Sequence, residues 1–254
     1  MKKILSLFSL TPENVGDMAC CWGKHYETTS IIKSNNSKLI SDNHVTFSHI
    51  NDFRDDYHTY DLVVIGGGCI INPSHEQGIW RAIEFSNNCI IRSVGVKDWD
   101  FAQKLKDRLG DKFTIRHKKD GFIYEPCPSL IDLEKFKCIY GKNKTFDKTQ
   151  NLLFACHQNN IDELKLLQEK GFETIVNNCN LLDAFYAIAK SKKIVTSSYH
   201  FLLWGYNLGC EVEVFSNDRN FVNFDNLPLD TDLNKFKDIP IPFNLINIYD
   251  YINS

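Results

Sequence analysis

Apolar residues in this chain cluster in short runs rather than alternating with polar ones. Residues 4–10, 60–65, 89–96, 152–156 and 193–196 are runs of this kind, rich in Ile, Val and Leu. Each predicts a strand buried on both faces, as in a parallel sheet covered by helices. Segments of helical spacing lie between them, at residues 15–26, 78–85, 100–109, 161–170, 181–190 and 199–208. Weaker strands are expected at 45–50, 112–116, 121–125, 172–176 and 212–215. Residues 217–242 carry Asp-Asn and proline turn signals and read as loop, and 245–252 as a closing helix. The polar stretch 142–150 interrupts the alternation and is the best linker candidate. The pattern therefore predicts an α/β fold in two halves, residues 1–145 and 146–254.

Composition narrows the function. Of the 254 residues, 43% are hydrophobic and 24% charged, with a net charge of −3, which argues against wholesale nucleic-acid binding. No apolar run reaches the ~18 residues of a membrane span. Pro12, Glu13 and Asn14 interrupt the N-terminal apolar run, so a core strand fits it better than a signal peptide. The nine cysteines are scattered without a Cys-x-x-Cys pair. They read as reduced, mostly buried thiols of a cytoplasmic protein, and no metal site is expected.

Polar motifs sit where the predicted strands end, the usual place for a ligand in an open α/β sheet. Asn14-Val15-Gly16-Asp17 follows the first strand, and Gly66-Gly67-Gly68 follows the run 60–65. The glycines match neither the dinucleotide fingerprint nor the phosphate-binding loop, which needs Gly-Lys-Ser/Thr. Arg92 interrupts an apolar strand and needs a partner, either a structural carboxylate or an anionic ligand. Arg116 ends another strand, where its guanidinium could fork onto carboxylate or phosphate, whereas Lys118 and Lys119 read as surface. Pro126-Cys127-Pro128-Ser129 is a rigid loop, and His157 closes the run 152–156. Ser197-Ser198-Tyr199-His200 joins a buried strand to an apolar helix, whose first N–H groups can bind an anion.

In this order the motifs resemble the polysaccharide pyruvyl transferase family, over most of residues 1–215. The resemblance rests on Asn14-Val15-Gly16-Asp17, Asp61 to Gly68, Arg116, Pro126 to Ser129, His157 and Thr196 to His200. It implies two Rossmann-like halves in a compact glycosyltransferase-B-like arrangement. It also implies transfer of a pyruvyl group from phosphoenolpyruvate to a pair of saccharide hydroxyls, forming a ketal in capsule, exopolysaccharide or other glycan biosynthesis. The residues it marks as catalytic are His200, Asp17 and His157. As substrate-binding it marks Asn14, Gly16, Gly66, Gly67, Gly68, Arg116, Ser197, Ser198 and Tyr199, and Arg92, read from its place in an apolar strand, is the reserve for Arg116. Phosphoenolpyruvate is the donor substrate and no further cofactor is implied. The acceptor is a saccharide, lipid-linked and nucleotide-linked forms included, and the protein is expected to work peripherally to glycan-assembly enzymes. Ser198 stands where many members have Arg. A glycosyltransferase using a nucleotide-sugar, and a non-catalytic member of the fold, are the competing readings. The former would need a carboxylate for ribose hydroxyls, for which Glu211 and Glu213 lie in a suitable region but on a predicted strand.

Overall fold

The computed structural model describes residues 2–9, 14–20, 44–116, 119–141, 146–215 and 244–245. Its contacts divide the chain into two units. The first comprises Met1–Thr11 and Asp17–Ile131, and the second Pro12–Gly16 and Asp132–Ser254. The polar stretch 142–150 suggested a division at 145/146, whereas contacts place it at 131/132, inside a helix, with a short N-terminal segment joining the second unit.

The first unit is built on a six-stranded parallel sheet. Its strands are β1 (Lys3–Phe8), β2 (His44–His49), β3 (Leu62–Gly66), β4 (Cys89–Val94), β5 (Phe113–Ile115) and β6 (Ile123–Tyr124), in the order β2-β1-β3-β4-β5-β6. Residues 15–20 form the described part of helix α1. Helices α2 (Glu76–Phe85) and α3 (Trp99–Leu109) follow β3 and β4. The apolar runs became strands for the expected reason. Ile4, Leu5 and Leu7 of β1, and Val63, Val64 and Ile65 of β3, are all but inaccessible to solvent, so neighbouring residues are covered on opposite faces. Helix α3 starts at a strong cap, the Asp98 side chain accepting the Phe101 N–H at 2.9 Å, and buries Phe101, Ala102 and Leu105 on one stripe.

The second unit holds a five-stranded parallel sheet, order β11-β10-β9-β7-β8. Its strands are β7 (Gln150–Cys156), β8 (Thr174–Val176), β9 (Ser191–Thr196), β10 (Glu211–Val214) and β11 (Asn244–Leu245), with helices α5 (Ile161–Glu169), α6 (Leu181–Ala189) and α7 (Tyr199–Asn207) between them. Helix α7 buries His200 through Gly205 without a break. The chain is thus an α/β protein with two parallel sheets.

Two further expectations change. Residues 129–140, unassigned in the sequence pattern, form helix α4 (Ser129–Tyr140), which carries the division between the units. Its apolar residues, Leu130, Ile131, Leu133, Phe136, Ile139 and Tyr140, go around the helix and give no clear stripe. Residue 245, expected to open a helix, lies in strand β11, paired with Val214. The loop 217–242 and residues 246–252 lie outside the described residues, as do Lys118 and residues 142–145.

The two sheets share one topology. In the first, the chain runs from β1 outward to β2, then reverses past β1 to β3, β4, β5 and β6. In the second it runs from β7 to β8, then reverses to β9, β10 and β11. A reversal leaves a crevice outside the carboxyl ends of the two strands that flank it, because their connections depart to opposite faces. These strands are β1 and β3 in the first unit, and β7 and β9 in the second.

Candidate functional site

Four of the motifs read from sequence, Asn14 to Asp17, Gly66 to Gly68, His157 and Ser197 to His200, fall at these two reversals. In the second unit, His157 follows β7 and Ser197 follows β9. The His157 N–H donates to Ser197 Oγ at 2.9 Å, tying the two loops together. The His157 ring is also engaged, its Nδ1 accepting from the Asn159 N–H at 3.2 Å as the cap of a short 3-10 turn. Thr196 fixes the next turn: its hydroxyl accepts from the Ser198 N–H at 3.0 Å and donates to Ala155 O at 2.5 Å. Ser198 then occupies the cap position of α7, although its side chain makes no capping bond to the helix. Tyr199 and His200 follow in the first turn.

The residues 14–16 that join this unit meet the same helix start. The Val15 N–H donates to Asn177 O at 2.6 Å, and the Gly16 N–H to Asn14 Oδ1 at 3.0 Å. Asn177 also receives the Gln158 N–H on its side chain at 2.8 Å, so one residue braces both segments. Gly16 lies against the His200 imidazole. A Cβ at position 16 would stand 1.9 Å from His200 Nδ1 and 2.4 Å from Cγ. His200 is only 6% exposed, with the Tyr199 ring at 5.1 Å and the Trp204 ring at 5.7 Å between centroids. Glycine is required at 16 by this approach, not by a positive φ.

In the first unit the crevice outside β1 and β3 is framed by α1 and the glycine turn. Gly67 and Gly68 have φ of +76° and +67°, the left-handed region that suits glycine. A Cβ on Gly67 would come 2.7 Å from Cys20 Cβ, and one on Gly68 would come 3.4 Å from the Asp17 carboxylate. Gly66 ends β3 itself. The turn is bonded onward to the next strand end, the Gly95 N–H donating to Gly68 O at 2.8 Å. Gly95 in turn carries Arg116: a Cβ there would lie 2.8 Å from one terminal nitrogen of the guanidinium and 2.9 Å from Nε. Arg116 is 5% exposed, and its other terminal nitrogen donates to Cys127 Sγ at 3.8 Å. The consecutive strand ends of β3, β4 and β5 therefore gather a glycine turn, a glycine platform and one buried cation.

Arg92 takes the first of its two possible partners. Its guanidinium grips the Glu125 carboxylate in a two-point contact. Glu125 also accepts the Thr114 hydroxyl, whose oxygen accepts the Ser93 N–H at 2.8 Å. Ser93 has φ of +54°, a left-handed conformation costly for a residue with a side chain. Its hydroxyl bonds to the Glu125 and Pro126 carbonyls. The pairing of β4 with β5 is irregular here, between Ile91 and Val94. This bulge brings Val94 and Gly95 beside Arg116, whose N–H donates to Val94 O at 3.0 Å.

Sequence reasoning missed Gly95, Cys20 and Cys127 as parts of this arrangement. A single glycine after a strand gives no signal until its neighbour across the sheet is known. Gly95→Ala should push the guanidinium of Arg116 aside with the fold retained. The expected result is about tenfold weaker anion binding, the scale of one charge-assisted hydrogen bond. Thermal protection by inorganic phosphate and phosphoenolpyruvate measures it, and unchanged protection would remove Gly95 from the site.

No protein-family model and no curated protein matches the chain. Among solved structures, UDP-GlcNAc 2-epimerase of Methanocaldococcus jannaschii, in complex with UDP-GlcNAc and UDP, is similar over 99% of this chain and 91% of its own, at 9% identity and a TM-score of 0.49. An uncharacterized protein of Klebsiella pneumoniae is similar over 86% and 85%, at 16% identity and a TM-score of 0.49. UDP-GlcNAc 2-epimerase of Neisseria meningitidis is similar over 84% and 82%, at 12% identity and a TM-score of 0.39.

Proposed function

We propose that the chain is a pyruvyl transferase that moves the pyruvyl group of phosphoenolpyruvate onto two hydroxyls of a saccharide. The observation that carries the reading is the approach of Gly16 to His200, which joins two of the motifs behind the resemblance at the β7/β9 reversal.

Ketal formation adds two hydroxyl oxygens to C2 of phosphoenolpyruvate, protonates its methylene to a methyl, and releases phosphate. One hydroxyl proton is matched by the proton gained at carbon, and the other leaves with the phosphate. An imidazole can both accept and donate a proton, so His200 is assigned the acid–base role. Asp17 is assigned to a hydroxyl, and Arg116 to the carboxylate or phosphate, because a buried fork of N–H donors suits either anion. His157 is assigned to position the Ser197 loop, through the backbone bond it already makes.

The carboxylates that a nucleotide-sugar reading would use are engaged elsewhere. Glu213 and Glu211 on β10 lie 2.7 Å and 3.4 Å from Lys193 Nζ of the neighbouring strand.

Incubation with phosphoenolpyruvate and a panel of capsule and cell-wall saccharides tests the proposal, read as phosphate release and gain of acceptor mass. Both signals together are expected. Consumption of a nucleotide-sugar with phosphoenolpyruvate untouched would replace the reading with glycosyl transfer, and inertness toward both donors would make the chain a binding protein.

A further inference from the structure

Two thiols from opposite ends of the first unit lie in contact. Cys20 is on α1 and Cys127 lies between Pro126 and Pro128, and their sulfurs are 3.5 Å apart. They are 107 positions apart in sequence, so the contact is made by the fold. Both are buried. The approach is held from each side. Cys20 Cβ occupies the space that a side chain at Gly67 would need, and two prolines stiffen the segment that carries Cys127. Ser129 Oγ lies 3.3 Å from Cys127 Sγ, and the Arg116 guanidinium 3.8 Å from it.

A disulfide requires sulfurs about 2.05 Å apart, so closing this pair asks for a movement of about 1.5 Å. Small side-chain rotations can supply that. We infer that Cys20 and Cys127 are a reversible dithiol–disulfide pair that responds to hydroperoxides.

Electrons and protons balance as follows. The Cys127 sulfur, as thiolate, attacks one oxygen of hydrogen peroxide, the O–O bond breaks, and hydroxide leaves and takes up the thiol proton as water. The sulfur is now a sulfenic acid. The Cys20 sulfur attacks it, the S–S bond forms, and the sulfenic hydroxyl leaves with the Cys20 proton as a second water. Two thiols have been oxidised by two electrons and one peroxide reduced to two waters. A dithiol such as dithiothreitol reverses the bond.

The order of attack follows from the neighbours. A guanidinium beside Cys127 favours negative charge on that sulfur. Cys20 is held well above the usual thiol range, first by its hydrogen bond with Cys127 and then by burial, against a weaker opposing pull from Arg116. It therefore waits as a thiol until its partner becomes electrophilic. Cys89 and Cys156 are each pushed up to about 12 by burial, which at Cys89 outweighs the opposing pull of Lys112.

The test uses the full chain, reduced, desalted and treated with stoichiometric hydrogen peroxide. Intact mass should fall by two hydrogen atoms, and a non-reducing peptide map should join the Cys20 and Cys127 peptides. Dithiothreitol should restore the mass. The C20S variant should stop at a sulfenic acid on Cys127, trapped by dimedone, while C127S should give no adduct at Cys20. C21S separates the adjacent thiol and should behave as wild type. A cross-link that disappears in C21S, oxidation confined to the exposed Cys138, or no mass change would each overturn the inference. Should either serine variant fail to fold, the wild-type and C21S maps decide alone.

Discussion

Gly16→Ala is expected to lower turnover by about 100-fold or more, as far as His200→Ala does, the scale of a lost general acid or base. The new methyl would stand 1.9 Å from Nδ1, 2.4 Å from Cγ and 2.8 Å from Cε1 of His200. The imidazole has no easy retreat, enclosed by Tyr199 and Trp204 and nearly inaccessible to solvent. The backbone is no freer, because Val15 and Gly16 are pinned by the bonds to Asn177 O and Asn14 Oδ1. Overpacking of this kind typically costs about 1–3 kcal/mol, too little to unfold a typical domain. Initial rates in the phosphate-release assay and a thermal melt measure the two effects separately. The sharper test is the pair of changes together. In a His200→Gly background the methyl has room, so Gly16→Ala should then cost almost no stability. Additive losses would mean that the two residues do not meet. Full activity in Gly16→Ala or His200→Ala would remove His200 from the chemistry.

Arg116→Ala should abolish most of the thermal protection that phosphoenolpyruvate confers. A ligand at 100 times its Kd stabilises a protein by about 2.7 kcal/mol, and losing a fork of charged hydrogen bonds weakens binding by about 10- to 100-fold. Lys119→Ala serves as the surface control, since that ammonium lies 5.3 Å from the Trp99 ring centre. Arg92→Ala should behave differently again. It leaves Glu125 without its two-point partner and loosens the Ser93 bulge, so it should lower the melting temperature of the free protein more than it lowers protection. Protection lost equally in the Arg116 and Lys119 variants would exclude Arg116 as the anion group.

Much of the fold was legible because β1, β3, β4, β7 and β9 are covered on both faces and so need unbroken apolar runs. The motif positions were legible for a related reason, since polar residues end such runs abruptly. What could not be read was which strand ends become neighbours. Neither Gly95 under Arg116 nor Cys20 against Cys127 follows from spacing along the chain. Each depends on the order β1-β3-β4-β5, which no single segment encodes. Helix α4 escaped for a local reason: two prolines precede it and its apolar residues surround it, so neither period nor cap announced it. Arg92 was read as a charge that needs a partner, and the partner is a structural carboxylate, that of Glu125.

The segment Pro12–Gly16 gives the chain a property that a simple tandem of two domains lacks. A fragment ending at residue 131 would carry Asn14, Val15 and Gly16 without the Asn177 carbonyl or the imidazole they pack on. A fragment beginning at residue 132 would leave that carbonyl and that face of His200 uncovered. Neither cut yields a self-contained piece, so dissection of the molecule calls for co-expressed fragments, or for a permuted gene that returns residues 12–16 to the second unit.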